Sequence, residues 1–260
     1  MKIGVFDSGL GGLTVVKSMM KSIRGADIFY IADTKNTPYG EKTPEQILQY
    51  SLDITKYFME TRQIDALIVA CNTATSAAIK TLREKYPQLI IVGTEPGIKP
   101  AIELTHTYNI GVLATPATLK SDKYQQLIDT FAHNKDIMLF EQACPGLVEQ
   151  IEKGSINNPK ITEMLKAWLA PMRENSVDTI VLGCTHYPLV EQTIKSIMKR
   201  DLNIVHTGEA ITKRVLSLGR EKGYLNVGSL KLTICSTGTI NKQSVNSVID
   251  GSYDIRHIDI

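Results

Sequence analysis

The sequence lacks the marks of several protein classes. Its 260 residues contain no apolar run close to the roughly 18 residues that a membrane span needs. The N-terminus lacks the charged, apolar and small-residue regions of a signal peptide. Four cysteines occur, too few and too widely spread for a disulfide framework, and none forms a C-x-x-C pair. We therefore expect a cytoplasmic protein that does not enter a membrane.

A charge excess of one sign is also missing. Lys and Arg number 29 and Asp and Glu number 27, and no basic block or aromatic-interleaved patch suggests nucleic acid. Neither the dinucleotide fingerprint G-x-G-x-x-G nor the phosphate loop G-x-x-x-x-G-K-[ST] occurs. These absences argue against nucleotides and leave a small molecule as the expected partner.

What is present is an alternation of two patterns. Short runs rich in Ile and Val alternate with longer segments of helical period, which is typical of a parallel sheet flanked by helices. Helix starts are marked by a capping-box pattern at Thr43 and by Asn158-Pro159. The predicted fold class is α/β.

An internal repeat organises the chain. The segment IDALIVACNTA from Ile64 superposes on VDTIVLGCTHY from Val177, which places Cys71 on Cys184. Self-similarity at this long period argues for two related domains rather than a solenoid. We predict domains 1–98 plus 208–260 and 99–207, each a mostly parallel four-stranded sheet, related by approximate two-fold pseudo-symmetry. Three further strand pairs repeat in the same order, Ile3 with Ile110, Asp27 with Asp136 and Ile91 with Ile204. The strand candidate KLTICST, from Lys231, is expected to return to the first domain.

Both repeated cysteines stand where a predicted strand ends. Ligands of open parallel sheets bind beyond the carboxyl ends of the strands, so two such sheets predict an active site in an interdomain cleft. Inversion of a carbon centre by proton transfer needs one group on each face of that carbon. A thiol suits this task because its ordinary pKa of about 8.5 can be lowered towards neutrality. Cys71 and Cys184 are therefore the candidate acid–base pair.

Polar neighbours accompany both thiols. His186, two residues after Cys184, is a candidate proton partner, and Asp7 ends the first predicted strand on the Cys71 side. An anion beside a thiolate raises the thiol pKa, so Asp7 fits better as a proton relay. Glycines at positions 9, 11 and 12 permit a tight turn whose amides could hold a carboxylate or phosphate. The stretch TPYGEK from Thr37 is compatible with a cleft rim or a purely structural turn.

In this order, the motifs FDSGLGG, PYGEK, ACNTA and GCTHYP resemble those of bacterial glutamate racemases, in the aspartate/glutamate racemase superfamily. The resemblance covers nearly the whole chain, and the two cysteine motifs are its most specific part. It implies interconversion of L- and D-glutamate without a cofactor or metal, supplying D-glutamate for peptidoglycan. We also expect a homodimer.

The resemblance assigns roles to individual residues. Cys71 would deprotonate the D-enantiomer and Cys184 the L-enantiomer, with Asp7, His186 and Glu152 assisting proton transfer. The substrate contacts it implies are Asp7, Ser8, Pro38, Tyr39, Gly40, Cys71, Asn72, Thr73, Thr115, Thr118, Cys184, Thr185 and His186. Hydroxyls and amides suit this role because a carboxylate moved out of water needs hydrogen-bond donors.

Two departures from the family pattern and two competing hypotheses remain open. Glu149 stands where relatives run apolar, so either Glu149 or Glu152 could be the acidic helper. Thr239 replaces an aspartate that many relatives carry. Cys71, Cys184 and His186 could alternatively ligate a catalytic zinc, or two lobes could form a binding protein that closes on an anion. The two other cysteines, Cys144 and Cys235, are expected to be buried and inert, and Asp65 and Asp178 to be turn or cap residues.

Overall fold

A computed structural model describes residues 1–132, 136–153, 158–225 and 227–260. The chain divides into two compact units: the first unit is Met1–Thr94 with Gly208–Ile260, and the second unit is Glu95–Thr207. From sequence, the first division was placed after residue 98. Each unit is a parallel sheet flanked by helices, which confirms the predicted α/β class.

The first unit is built from two stretches of chain. Its strands are β1 (Lys2–Asp7), β2 (Asp27–Ala32), β3 (Ala66–Val69), β4 (Ile90–Gly93), β9 (Lys231–Ser236) and β10 (Asp254–His257). Its helices are α1 (Leu13–Ser22), α2 (Pro44–Thr61), α3 (Asn72–Lys85), α10 (Gly208–Glu221) and α11 (Lys242–Val248). The strands pair in parallel in the order β10-β9-β2-β1-β3-β4.

The second unit is continuous in sequence. Its strands are β5 (Asn109–Ala114), β6 (Met138–Ala143), β7 (Thr179–Gly183) and β8 (Asn203–Val205). Its helices are α4 (Ile98–Leu104), α5 (Pro116–Leu119), α6 (Asp122–Phe131), α7 (Leu147–Glu152), α8 (Pro159–Glu174) and α9 (Glu191–Met198). The strands pair in parallel in the order β6-β5-β7-β8.

The repeat seen in the sequence is a repeat of strand order. When the strands of each unit are numbered along the chain, the order across the sheet is second, first, third, fourth in both units: β2-β1-β3-β4 in the first and β6-β5-β7-β8 in the second. The prediction of four strands was wrong for the first unit, whose sheet has six. Strand β9 joins it beside β2 as expected from KLTICST, and β10 lies in the stretch taken for a tail. Strand β6 begins at Met138 rather than at the predicted Asp136.

The apolar runs form the strands at the centre of each sheet. Strand β3 is buried throughout, and β1 is buried after Lys2, because helices cover both faces of the sheet. Burying each large aliphatic side chain there stabilises the fold by about 1.5–3 kcal/mol. The predicted capping box of α2 is present, since the Thr43 hydroxyl accepts from Gln46 N and the Gln46 side chain accepts from Thr43 N.

The repeated aspartates tie the other end of each sheet. Asp65 accepts from Lys2 N at 2.7 Å, and Asp178 accepts from the Thr105 hydroxyl at 2.6 Å and from His106 N at 2.7 Å. These hydrogen bonds hold the amino ends of the strands, whereas the cysteines lie at the carboxyl ends. Among the helices of the described ranges, none combines the length and apolar character required to cross a bilayer.

Candidate active site

The site residues of the first unit meet at the carboxyl edge of its sheet. Asp7 is the last residue of β1, and Cys71 follows β3 and directly precedes α3. Because β1 and β3 pair in parallel, with Phe6 opposite Val69, both strands deliver their next residues to the same edge. The Cys71 Sγ lies 4.0 Å from the Ser8 Oγ, and both side chains are buried.

The glycine turn after β1 holds the Asp7 carboxylate. Asp7 Oδ2 accepts from Gly12 N at 3.0 Å and from Gly9 N at 3.3 Å. The buried Tyr30 hydroxyl donates to Gly9 O at 2.6 Å and ties the turn to β2. A Cβ at Gly12 would stand 2.7 Å from Asp7 Cβ and 3.0 Å from the Tyr30 hydroxyl. Glycine is therefore required at position 12 for the backbone to approach this side chain closely.

Replacing Gly12 by alanine is expected to destabilise the protein by about 1–3 kcal/mol, because the new methyl group overpacks the turn. Urea unfolding measures this change. The matched control is Gly219→Ala in α10, where the nearest atom to a new Cβ is the flexible Met1 Sδ at 3.3 Å. Alanine should be neutral or slightly stabilising at this helical position. Equal stability loss in the two variants would contradict the predicted clash.

Three polar side chains of the first unit have buried oxygen or nitrogen atoms without hydrogen-bond partners within the described part of the chain. Asn72 is 3% exposed, and neither its Oδ1 nor its Nδ2 has a partner there. Thr37 Oγ1 and Ser244 Oγ are two further atoms of this kind. An unpaired buried amide costs about 1–3 kcal/mol, so Asn72 points to a ligand that offers both an acceptor and a donor. Thr73 follows it, also buried.

The PYGEK motif forms a short loop in the first unit. Pro38 follows a cis peptide bond, and Tyr39 and Gly40 begin a 3₁₀ turn. The Tyr39 hydroxyl donates to Asp33 Oδ2 at 2.6 Å. Burial, followed by the Asp33 carboxylate, raises the pKa of Tyr39 well above its ordinary value, and charge on Cys71 adds to the shift. The phenol therefore stays protonated and donates a hydrogen bond to Asp33.

The second unit repeats the arrangement around Cys184. Cys184 directly follows β7, and Thr115 directly follows β5. These strands are paired, with Ala114 opposite Gly183, so the two side chains emerge at one edge. The Thr115 hydroxyl caps α5 by accepting from Thr118 N at 3.2 Å, and the two threonine hydroxyls are 2.9 Å apart. Thr115, Thr118, Cys184 and Thr185 are all buried.

A histidine connects Cys184 to a carboxylate. His186 Nδ1 lies 3.9 Å from Cys184 Sγ, and His186 Nε2 lies 2.5 Å from Glu152 Oε1. The His186 side chain is 2% exposed, whereas the Glu152 side chain is 18% exposed. A proton can therefore pass from the thiol through the imidazole to a carboxylate that reaches solvent. Glu149 lies one turn earlier on α7, and its charge adds to the effect of burial, which is the main cause that raises the pKa of Tyr187.

Cys144 differs from the two motif cysteines in its environment. It follows β6 and is 2% exposed. Burial is the main cause that raises its pKa from 9.0 to about 12. The thiol is therefore protonated at neutral pH, consistent with an inert residue. Burial also raises the pKa of Cys235.

This shift predicts a loss of stability in alkaline solution. Above pH 9 the unfolded chain loses the Cys144 proton while the folded chain keeps it. The free energy of unfolding therefore falls as pH rises towards about 12. The unfolding equilibrium constant should rise by up to about tenfold per pH unit in this window. Urea unfolding of wild type and Cys144→Ala between pH 8 and 11 tests this, because the variant should show the shallower dependence. Identical slopes would contradict it.

No group of three or more His, Cys, Asp or Glu side chains that could hold a metal ion occurs within residues 1–132, 136–153, 158–225 and 227–260. The zinc hypothesis takes its ligands from both units, with Cys71 in the first unit and Cys184 and His186 in the second. The side chains around each thiol are instead hydroxyls, amides and carboxylates. They suit hydrogen bonding to an organic anion and proton transfer.

Comparison with known proteins gives a consistent picture. The profile of the Asp/Glu/Hydantoin racemase family matches residues 3–215. The glutamate racemase of Sulfurovum sp. strain NBC37-1 is 65% identical over 98% of this chain and 96% of its own. A solved glutamate racemase isoform from Bacillus anthracis has a TM-score of 0.87 at 29% identity, covering 99% of this chain and 97% of that one. The Escherichia coli glutamate racemase, solved with L-glutamate and the activator UDP-MurNAc-Ala, has a TM-score of 0.84 at 28% identity, covering 99% and 98%.

Proposed function

The chain belongs to the Asp/Glu/Hydantoin racemase family and groups with its glutamate racemases, and from this premise we propose how its residues perform the reaction. Cys71 and Cys184 act as two bases that move the α-hydrogen of glutamate from one face of the carbon to the other, without a cofactor. The observation that carries this proposal is the repeated position of the two thiols, each within two residues of the end of a central strand and beside its own polar partner.

The proposed reaction from L-glutamate begins at Cys184. Its thiolate takes the α-hydrogen as a proton, so an S–H bond forms while the electron pair of the broken C–H bond stays on the substrate as a carbanion. The Cys71 thiol then gives its own proton to the opposite face, and a C–H bond forms there. The products are D-glutamate, a Cys71 thiolate and a Cys184 thiol. D-glutamate reacts through the same steps in reverse.

The carbanion is the difficult species of this reaction. Without a cofactor to delocalise its charge, preorganised donors in a site shielded from water must stabilise it. Asn72 supports this role best, because its buried amide has both polar atoms without partners in the described part of the chain. The further substrate contacts that we propose are Ser8, Pro38, Tyr39, Gly40, Thr73, Thr115, Thr118 and Thr185.

Two proton relays would return the Cys71 and Cys184 thiols to their starting protonation states between turnovers. On the side of Cys184, His186 would exchange protons with the thiol, and the contact of its other nitrogen with Glu152 supports Glu152 rather than Glu149 as the acidic helper. On the side of Cys71, we assign this role to Asp7, whose carboxylate the glycine turn holds. The Asp7 carboxylate would also contact the substrate ammonium group.

The biological role follows from the product. We propose that the protein supplies D-glutamate for peptidoglycan in the cytoplasm and works as a homodimer. The complex of the Escherichia coli relative with L-glutamate supports glutamate as the substrate.

The proposed activity is tested by incubating metal-free protein with each glutamate enantiomer and following circular dichroism of the amino acid. Both solutions should converge on the racemic mixture without added pyridoxal phosphate or metal, and L-aspartate should react far more slowly. Binding without any optical change would favour a binding protein. Activity that appears only after addition of zinc would favour the metal hypothesis.

A further inference from the structure

A buried carboxylate lies behind the PYGEK loop. Asp33 follows β2 and is 2% exposed. It receives hydrogen bonds from the Tyr39 hydroxyl at 2.6 Å, from the Thr237 hydroxyl at 2.6 Å, and from Asn36 Nδ2 at 3.0 and 3.1 Å. No salt bridge to Asp33 occurs among the described residues, so neutral donors alone compensate its burial. Asp33 lies outside the four motifs FDSGLGG, PYGEK, ACNTA and GCTHYP.

A buried carboxylate without a salt bridge lowers the stability of the fold. Removing a carboxylate from water carries a large penalty, and a loop could be fastened by neutral groups without it. A carboxylate is, however, an acceptor only, and it makes a hydrogen bond roughly twice as strong as a neutral acceptor does. Asp33 therefore fixes both the direction of the Tyr39 hydroxyl and the position of its ring.

The third member of this group comes from the far end of the chain. Thr237 follows β9, and its hydroxyl accepts from Lys35 N at 3.1 Å while it donates to Asp33. Gly238 N donates to the Thr34 hydroxyl at 3.0 Å beside it. The returning segment of the first unit thus supports the loop from Asp33 to Tyr39, and the loop does not depend on its own local contacts alone.

We propose that Asp33, held by Thr237, is a positioning residue for substrate binding: it locks the Tyr39 ring and so holds the backbone of Pro38, Tyr39 and Gly40 in the conformation that binds glutamate. The inference rests on the proposed function, which assigns these three residues to the substrate. Asp33 does not transfer a proton in the reaction. Its loss should weaken substrate binding more than it slows proton transfer.

Steady-state kinetics of Tyr39→Phe and Asp33→Asn test the proposal. Each variant should raise KM for both glutamate enantiomers by about tenfold, the effect of losing one charge-assisted hydrogen bond. The kcat should change by less than about threefold, and the isotope effect with α-deuterated substrate should stay as in wild type. The effects of the two variants should not multiply: the double variant should resemble Asp33→Asn, which weakens the hydrogen bond from Tyr39 together with those from Thr237 and Asn36.

Two matched comparisons separate positioning from general loss of stability. Thr237→Val removes the hydroxyl and should raise KM. Thr237→Ser keeps the hydroxyl and should have the KM of wild type. In the second unit, Tyr124 is equally buried and donates to Glu141 Oε1 at 2.6 Å. Tyr124→Phe therefore removes the same kind of bond elsewhere and should leave KM unchanged.

A wild-type KM in Tyr39→Phe, or multiplicative effects in the double variant, would overturn the proposal. So would a similar rise of KM in Tyr124→Phe. If Asp33→Asn does not fold, Tyr39→Phe and the two Thr237 variants decide the matter. A wild-type protein that fails to racemise glutamate would refute the proposed function and this inference together, whereas racemisation with unaltered KM in Tyr39→Phe refutes this inference alone.

Discussion

Replacing Cys71 or Cys184 by serine should lower the turnover of both glutamate enantiomers by about 10²–10⁴-fold, the range expected when a general acid or base is lost. A thiol has an ordinary pKa of about 8.5 and can supply a thiolate near neutral pH, whereas a hydroxyl stays protonated. Both directions should suffer in each variant, because every turnover needs one thiolate and one thiol. Optical assays started from each enantiomer measure this loss.

The control for this prediction is Cys235→Ala. Cys235 is as buried as the other cysteines, but it lies within strand β9 rather than beyond the end of a strand. This variant should keep wild-type turnover, which shows that losing a buried sulfur does not by itself inactivate the enzyme. Turnover above about a tenth of wild type in either Cys71→Ser or Cys184→Ser would contradict the two-base assignment.

The second large effect is expected at the histidine relay. His186→Asn removes the imidazole between Cys184 and Glu152, and kcat/KM should fall about 10²-fold. The fall must be equal in both directions, because two enantiomers have the same free energy and the equilibrium constant is one. The two directions should differ in their isotope effects. The isotope effect should increase for α-deuterated L-glutamate, because proton removal by Cys184 becomes slower. Glu152→Gln should act in the same direction.

The same unit offers a second histidine–glutamate pair as a control. His206 Nε2 lies 3.0 Å from Glu191 Oε2, and the His206 side chain is 39% exposed. His206→Asn breaks this surface contact and should change kcat/KM by less than about threefold, because such pairs contribute little. Equal losses in His186→Asn and His206→Asn would show that the relay assignment is wrong.

The repeat made the main features predictable from the sequence. Cys71 and Cys184 follow apolar runs of the same pattern, and such runs form the central strands of parallel sheets, so strand ends and thiols could be placed together. The common strand order of the two sheets confirms this repeat. The position of His186, two residues after Cys184, marked it as a proton partner, whereas Asn72 was implied by the resemblance of the ACNTA motif to the family.

Other features depend on contacts that no local pattern encodes. Asp33 and Thr237 meet although 204 positions separate them, and Glu152 reaches His186 across 34 positions. Strand β10 escaped detection because DIRH, at an exposed sheet edge, lacks apolar alternation. The echo at Asp136 misplaced the start of β6 by two residues, since a pair of matching residues cannot define a register.

The most direct test of the two-thiol account follows L-glutamate in heavy water at low conversion, with mass and chirality of both enantiomers measured together. A thiol carries one proton, so the hydrogen taken by Cys184 stays on that sulfur while Cys71 delivers deuterium from solvent. The account predicts that nearly all new D-glutamate carries deuterium at the α-carbon and that the remaining L-glutamate carries almost none. D-glutamate that retains the hydrogen of the substrate would mean that a single base serves both faces and would contradict the account.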